Sequence, residues 1–294
     1  MATPIKPLDK EATLRLIRIG LEEDFAHGPD ATTEATINAD TVLTTHVVPR
    51  QAGVVAGLDV IAWIMEEISS NIQVTVQASD GDKIAPGTKL ATVSGPARPI
   101  LSAERTMLNL LTYASGIATQ TQQWTDALAG TAAKVRDSRK TLPGYRDFAK
   151  YAVRCGGGVN HRMSLGDSAL IKDNHVASVG SVAEAYRRTA TAFPDLPREV
   201  EVDTLAQLEE VLALHPDLVM LDNFSVDTTR HAVELRNRVS PNTRLESSGG
   251  LSLDVARAYA ETGVDFLAVG ALTHSVRILD IGLDAEDGKS TGDN

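Results

Sequence analysis

The spacing of apolar positions changes along the chain, and the change predicts two kinds of architecture. Leu14, Leu16, Ile17 and Leu21 form a short helical stripe, and residues 58–68 carry a second one through Leu58, Ile61, Ile64, Met65 and Ile68. Residues 41–49 and 72–78 alternate with a period of two, as half-buried strands do. Asp80-Gly81 and Pro86-Gly87 mark turns beside short strands. Ser102 reads as the N-cap of a helix carrying Met107, Leu108, Leu111 and Tyr113, which places Arg105 in its first turn. A mixed α+β unit accounts for this first third, with a boundary near residues 110–120.

From about residue 133 short apolar runs recur, each ending in polar residues. Lys134-Val135-Arg136 runs into Asp137, Ala169-Leu170-Ile171 into Lys172, and Glu199-Val200-Glu201-Val202 into Asp203. Leu218 to Leu221 runs into Asp222, Arg244-Leu245 into Glu246-Ser247-Ser248, and Phe266 to Val269 into Gly270. Helical stretches at 205–214, 228–239 and 253–262 separate the later runs. Repeated βα units imply parallel strands joined by right-handed crossovers. No G-x-G-x-x-G follows the first strand, so an α/β barrel is favoured over a dinucleotide-binding sheet, with its site at the C-terminal strand ends.

Composition narrows the function. The 294 residues hold 39 acids against 28 bases, a formal charge of -11. That balance excludes non-specific binding of nucleic acid or an anionic membrane, which need a basic surface. No apolar run reaches membrane-spanning length, and residues 1–10 lack the apolar core of a signal peptide. The single cysteine, Cys155, excludes a disulfide framework and fits a reducing, cytoplasmic setting. Beside Arg154 it reads as a buried structural thiol. The acidic tail from Asp284 to Asn294 reads as frayed and disordered.

The charge is uneven. Residues 136–175 hold eight Lys and Arg against four acids, a basic island in an otherwise acidic chain. Bases next to strand ends suit a small anion, and arginine's planar fork suits carboxylates and phosphates. Glu201 and Asp222 close successive strands and face the barrel mouth, where they suit Mg²⁺, ribose hydroxyls or a developing cation. Ser248-Gly249-Gly250 and Gly270 follow late strands, where barrels bind phosphate through backbone N–H groups, and His274 completes that site or caps a helix. Gly156-Gly157-Gly158 reads equally as an anion nest or a connector.

The run Asp137-Ser138-Arg139-Lys140-Thr141-Leu142-Pro143-Gly144 resembles a signature of the quinolinate phosphoribosyltransferases. Residues 150–162 and Leu170-Ile171-Lys172-Asp173-Asn174-His175 extend the match, as do Glu104-Arg105-Thr106, Leu221-Asp222-Asn223 and Glu246 to Gly250. The resemblance runs from about Glu23 to Asp280. It implies a type II phosphoribosyltransferase of NAD biosynthesis, in which quinolinate and phosphoribosyl pyrophosphate give nicotinate mononucleotide, pyrophosphate and CO₂. It implies an N-terminal α/β sandwich (residues 1–112), an incomplete seven-stranded α/β barrel (113–274) and a C-terminal segment (275–294) that returns to the first domain. It also implies a homodimer in which Arg105 enters the neighbouring barrel. Quinolinate then falls to Arg105, Arg139, His161, Arg162 and Lys172. Phosphoribosyl pyrophosphate falls to Lys140, Glu201, Asp222, Ser248, Gly249, Gly270 and His274. Mg²⁺ accompanies the pyrophosphate near Glu201 and Asp222, and Lys140 or Lys172 handles the proton that replaces CO₂. Ser164 stands where the family often has glycine, which puts the local turn in question.

Two other functions remain open on the residues alone. Lys172 at a strand end fits a Schiff-base aldolase. A non-catalytic sensor of phosphorylated metabolites would bind the same anions without turnover.

Overall fold

The computed structural model describes residues 5–286. In chain order the elements begin with α1 (Lys10–Asp24), α2 (Ala31–Thr36), β1 (Val42–Pro49), β2 (Gly53–Val54), α3 (Asp59–Ile68), β3 (Gln73–Val76), β4 (Lys83–Ile84), β5 (Ala91–Pro96) and α4 (Ala97–Ala127). There follow β6 (Lys134–Arg136), α5 (Arg146–Cys155), β7 (Ala169–Ile171), α6 (Asp173–Val179), α7 (Val182–Ala192), β8 (Arg198–Val202) and α8 (Leu205–Leu212). The last are β9 (Leu218–Asp222), α9 (Val226–Val239), β10 (Arg244–Ser248), α10 (Leu253–Ala260), β11 (Phe266–Ala268), α11 (Ala271–His274) and β12 (Ile281–Ala285). No helix among the described residues is long and apolar enough to cross a membrane. The chain divides into two compact units: Met1–Gln120 with Leu142–Gly157 and Ser275–Asn294, and Thr121–Thr141 with Gly158–His274.

The first unit is built on an antiparallel sheet in the order β12-β1-β5-β3. Alternation in β1 buries Thr45 and Val47, with Val47 opposite Ala91 on one side and Leu283 on the other. Helix α3 buries Val60, Ile61, Ile64 and Met65 on one face and lies against α1 and β3. Just before it, the N–H groups of Gly57 and Leu58 donate to the Asp80 carboxylate at 3.0 Å each, so the Asp80-Gly81 turn fixes the chain's entry into the helix. Asp284 and Ala285, expected in a frayed tail, are instead paired in β12, and Arg50 holds Asp284 at 2.7 Å. The remainder of that tail, 287–294, lies outside the described residues.

Two local expectations are corrected. Ser102 is not an N-cap: α4 starts at Ala97, with Pro99 in its first turn where proline is tolerated. Ser102 lies within the helix and its hydroxyl meets the Asp30 carboxylate at 3.1 Å. Arg105 is therefore well inside α4 and exposed, not in its first turn. The triple glycine is a helix stop, not an anion nest. Gly156 and Gly157 donate their N–H groups to Ala152 and Arg154 of α5, and Gly157 takes a left-handed φ of 82°. Cys155 is buried, as expected, and burial next to the charge of Asp80 pushes its thiol up to about 12.

In the second unit all six strands are parallel, ordered β6-β11-β10-β9-β8-β7. The first strand pairs with the last, as in a sheet that curls round. Between β6 and β7 the described residues supply only a one-residue parallel bridge from Arg136 to Val159, so the barrel is incomplete. Six strands joined by five ladders, and that bridge, stand where the family resemblance implied seven strands. Strand interiors are apolar because helices cover the outside: Leu218 to Leu221 of β9 are all buried. Ser181, Thr204 and Ser225 cap α7, α8 and α9, each accepting from a backbone N–H three residues on.

Candidate active site

The C-terminal ends of the barrel strands surround a cavity of about 690 Å³, built wholly from the second unit. Its lining includes Arg139, Lys140, His161, Arg162, Lys172, Glu201, Asp222, Ser248, Gly249, Gly270 and His274. Every residue expected at the site is therefore brought together except Arg105, which stands exposed on α4 of the first unit. Four bases face two carboxylates, so the cavity is an anion trap within an acidic chain.

Two arginines dominate one wall. Arg162 donates to the Ser168 carbonyl at 2.9 Å, which fixes its guanidinium. Burial and the neighbouring charge of Arg139 depress its pKa, while Glu199 and Asp167 oppose that shift. The buried Nε of Arg139 has no hydrogen-bond partner among the described residues. Like charges are held together here, and an incoming anion relieves the strain. Ser164 resolves its glycine question. It has no left-handed φ, and its N–H and hydroxyl join a turn closed by the Asp167 carboxylate.

Across the mouth, Lys172 forms an ion pair with Glu201. Glu201 is on β8 opposite Met220 of β9, and Asp222 is two residues further on the same face of β9. Asp222 accepts from the side-chain amide of Asn223 at 2.6 Å. Such a pair supplies hard oxygen donors but too few for a closed metal cage. That suits Mg²⁺, which keeps its own water and phosphate ligands.

Backbone groups form the remaining side. Gly249 has a left-handed φ of 90°, and a Cβ there would lie 2.2 Å from Asn223 Oδ1. Only glycine lets the loop after β10 pass this close to Asn223. A Cβ on Gly270 would meet Lys140 Cδ at 3.0 Å and His274 at 3.2 Å, so glycine also gives those two side chains room. Thr273 ties α11 to the other flank by donating to the Lys140 carbonyl at 2.9 Å. The Ser138 hydroxyl accepts the Lys140 N–H at 3.1 Å, closing the turn that presents Arg139 and Lys140.

Beneath the cavity is a buried charge network. Arg136 donates to Glu246 at 2.6 Å, and His161 Nε2 stands 2.7 Å from Glu199. Burial, reinforced by the charge of Glu199, pushes the Glu246 carboxyl up to about 7; Arg136 opposes it. Burial likewise raises Glu199, against Arg136 and Arg162. Glu199 Oε1 and Glu246 Oε1 lack hydrogen-bond partners among the described residues. His161, Glu199 and Glu246 bring one ligand atom each within 4.8 Å of one another, but Arg136 beside Glu246 disfavours a further cation. Arg136, Glu199 and Glu246 carry no role in the sequence pattern alone. The signal was present in the period of two: Glu199 shares its strand face with Glu201, and Glu246 with Ser248.

Two family models match the chain: the quinolinate phosphoribosyl transferase N-terminal domain over residues 30–115 and the C-terminal domain over residues 117–284. A nicotinate-nucleotide pyrophosphorylase [carboxylating] of Mycobacterium leprae is 56% identical over 276 residues, covering 93% of this chain and 97% of that one. A probable nicotinate-nucleotide pyrophosphorylase of Bacillus subtilis is 41% identical over 239 residues, covering 81% and 82%. Among solved structures, the nicotinate-nucleotide pyrophosphorylase from Francisella tularensis superposes with a TM-score of 0.89 at 35% identity, covering 97% of this chain and 100% of that one.

Proposed function

The chain belongs to the quinolinate phosphoribosyltransferase family, and from that premise we propose how its cavity performs the family's reaction. The enzyme transfers the phosphoribosyl group of phosphoribosyl pyrophosphate to quinolinate with decarboxylation, yielding nicotinate mononucleotide, pyrophosphate and CO₂ for NAD biosynthesis. The observation that carries the assignment of roles is the Arg139–Arg162 wall, two like charges held together at the cavity. A dicarboxylate is the substrate that neutralises both.

Quinolinate's carboxylates lie against Arg139, Arg162 and Lys172, with His161 in the same wall. Phosphoribosyl pyrophosphate occupies the other side. Its 5′-phosphate meets the backbone at Ser248, Gly249 and Gly270 and the imidazole of His274, while Lys140 takes the pyrophosphate. Glu201 and Asp222 face the ribose and would hold Mg²⁺, which would supply positive charge to offset that of the leaving pyrophosphate.

Departure of pyrophosphate leaves positive charge on the ribose ring. Glu201 and Asp222 stabilise that charge electrostatically. The pyridine nitrogen attacks directly, so no covalent enzyme intermediate is needed, and holding both substrates in one cavity supplies much of the remaining acceleration. As CO₂ leaves, the bonding pair stays on the adjacent ring carbon, stabilised there by the cationic ring nitrogen. Lys140 or Lys172 then protonates the ring carbon.

Arg105 serves a second copy of the chain. It is exposed on α4, and a second hollow of about 420 Å³ shares Arg162 and Leu170 with the main cavity, beside a largely exposed Leu165. A homodimer covers that apolar surface and completes each site with the partner's arginine. The reduced, buried Cys155 fits a cytoplasmic setting. The aldolase alternative is weakened because the Lys172 side chain is engaged by Glu201 rather than presented as a nucleophile.

Incubation with quinolinate, phosphoribosyl pyrophosphate and Mg²⁺ tests the reading, with CO₂ release followed by radiolabel. Release requiring both substrates is expected. Folded protein that binds both and releases none would overturn it.

A further inference from the structure

The floor of the cavity holds groups that the reaction above does not use. Asp137 is fully buried and accepts the His161 backbone N–H at 2.8 Å and the Asn160 amide at 2.5 Å. The backbone N–H of Arg162 donates to His161 Nδ1 at 2.7 Å. A ring nitrogen that accepts an N–H carries no proton of its own, so Nδ1 is bare. The proton of a neutral ring then sits on Nε2, 2.7 Å from Glu199 Oε2. Glu199 is itself only 2% exposed, and Arg136 engages Glu246 behind it. His161 is thus held at three points: its backbone by Asp137, one ring nitrogen by Arg162, and the other facing Glu199.

We propose that Glu199 is a positioning residue for quinolinate. By facing His161 Nε2 it selects the tautomer whose bare Nδ1 holds the Arg162 backbone, and so sets where Arg162 meets a substrate carboxylate. The proposal rests on the reading that this cavity takes a dicarboxylate. Charge, and not only shape, matters at position 199. Ionised, Glu199 can only accept from Nε2–H, whereas an amide of the same shape can donate to Nε2 and favour the opposite tautomer. With its proton moved to Nδ1, the ring would set two N–H donors against each other, and the Arg162 backbone would have to shift.

The test uses the full chain labelled with ¹⁵N in histidine, without ligand, and then with each substrate. Long-range ¹H–¹⁵N spectra, assigned by the signals lost in His161→Asn, should show His161 neutral with its proton on Nε2. Glu199→Gln should lose that form and bind quinolinate about tenfold more weakly, the effect of one hydrogen bond. Its affinity for phosphoribosyl pyrophosphate with Mg²⁺ should stay within about twofold of wild type. Glu199→Asp keeps the acceptor and should retain the tautomer with a smaller loss, which also serves if the glutamine variant does not fold. A wild-type His161 protonated on Nδ1, or a Glu199→Gln protein that binds quinolinate as wild type does, would overturn the proposal. Wild-type protein that shows the expected tautomer but does not bind quinolinate would instead overturn the reading of the cavity.

Discussion

Arg136→Met removes the only cation that donates a hydrogen bond to Glu246 among the described residues, and its cost can be worked out as a function of pH. Breaking a buried ion pair usually costs about 3–5 kcal/mol because the surviving charge stays behind. Here a proton can replace the lost arginine, and this caps the penalty. The ordinary value for the Glu246 carboxyl is 4.5, and in the folded protein it is pushed up to about 7. In wild type, its stabilising contribution is therefore full below its ordinary value and is lost as pH rises to about 7. Without Arg136 the folded value climbs further and the loss continues to higher pH. At pH 8, one unit above 7, protonating the carboxyl costs about 1.4 kcal/mol more than keeping the ionised, paired state. At pH 6 the carboxyl is already protonated in wild type, and the charge part of the penalty is near zero. Arg136 also stands 4.5 Å from the Phe266 ring, a cation–π contact whose loss adds about 1 kcal/mol at every pH.

The gap between Arg136→Met and wild type should thus widen from about 1 kcal/mol at pH 6 to about 2–3 kcal/mol at pH 8. Urea unfolding at pH 6, 7 and 8 measures it. Trp124 is buried in the second unit, so a Trp63→Phe background lets its fluorescence report on the barrel. A gap that stays constant at 3 kcal/mol or more, or that narrows as pH rises, would refute the proton-for-arginine exchange. Arg136→Met combined with Glu246→Gln should show a smaller pH dependence, the remainder coming from Glu199, which Arg136 also faces.

Arg139→Met should weaken quinolinate binding by roughly 10–100-fold in calorimetry, yet leave the ligand-free melting temperature unchanged or raised, because it relieves Arg162; a fall of several degrees would count against strain in that wall. Gly249→Ala should raise KM for phosphoribosyl pyrophosphate by about tenfold with little change for quinolinate, since the added Cβ displaces Asn223; equal effects on both substrates in steady-state kinetics would contradict a phosphate loop there. Arg105→Ala and Lys172→Ala should each be inactive alone but regain about a quarter of wild-type activity on mixing, from the one intact site of each hybrid dimer. No recovery despite demonstrated subunit exchange would exclude a shared site.

The parallel strands were legible because burial on both faces leaves an uninterrupted apolar run that ends where the chain meets solvent, as Leu218 to Leu221 ends at Asp222. The site residues were legible for the same reason, since strand ends deliver them to one rim. Local signals failed where tertiary context decided between equivalents. Ser102 is a competent cap residue, but the helix starts earlier at Ala97, and the hydroxyl serves Asp30 instead. The glycines after Cys155 permit a nest or a stop, and only their donation to Ala152 and Arg154 decides. The Lys172–Glu201 pair, 29 positions apart, and the Arg136–Glu246 pair, 110 apart, follow from strand order, which no local pattern records.

Placing acids beneath a basic cavity has an electrostatic logic. Four bases around one cavity repel each other, and burial adds to that repulsion, as the depressed pKa of Arg162 records. Carboxylates inside the cavity would relieve the bases but would also repel an anionic substrate. Carboxylates below it can do the first with less of the second, because they lie farther from the substrate than from the arginines. Glu199 has that place: it is 2% exposed, does not line the cavity, and supports the charge of Arg162. Glu201 and Asp222, which do line the cavity, stand where the reaction generates positive charge on the ribose. The same residue type therefore does opposite work at two depths of one barrel. On β8 a single step of two residues, from Glu199 to Glu201, separates support for the cationic wall from support for the transition state.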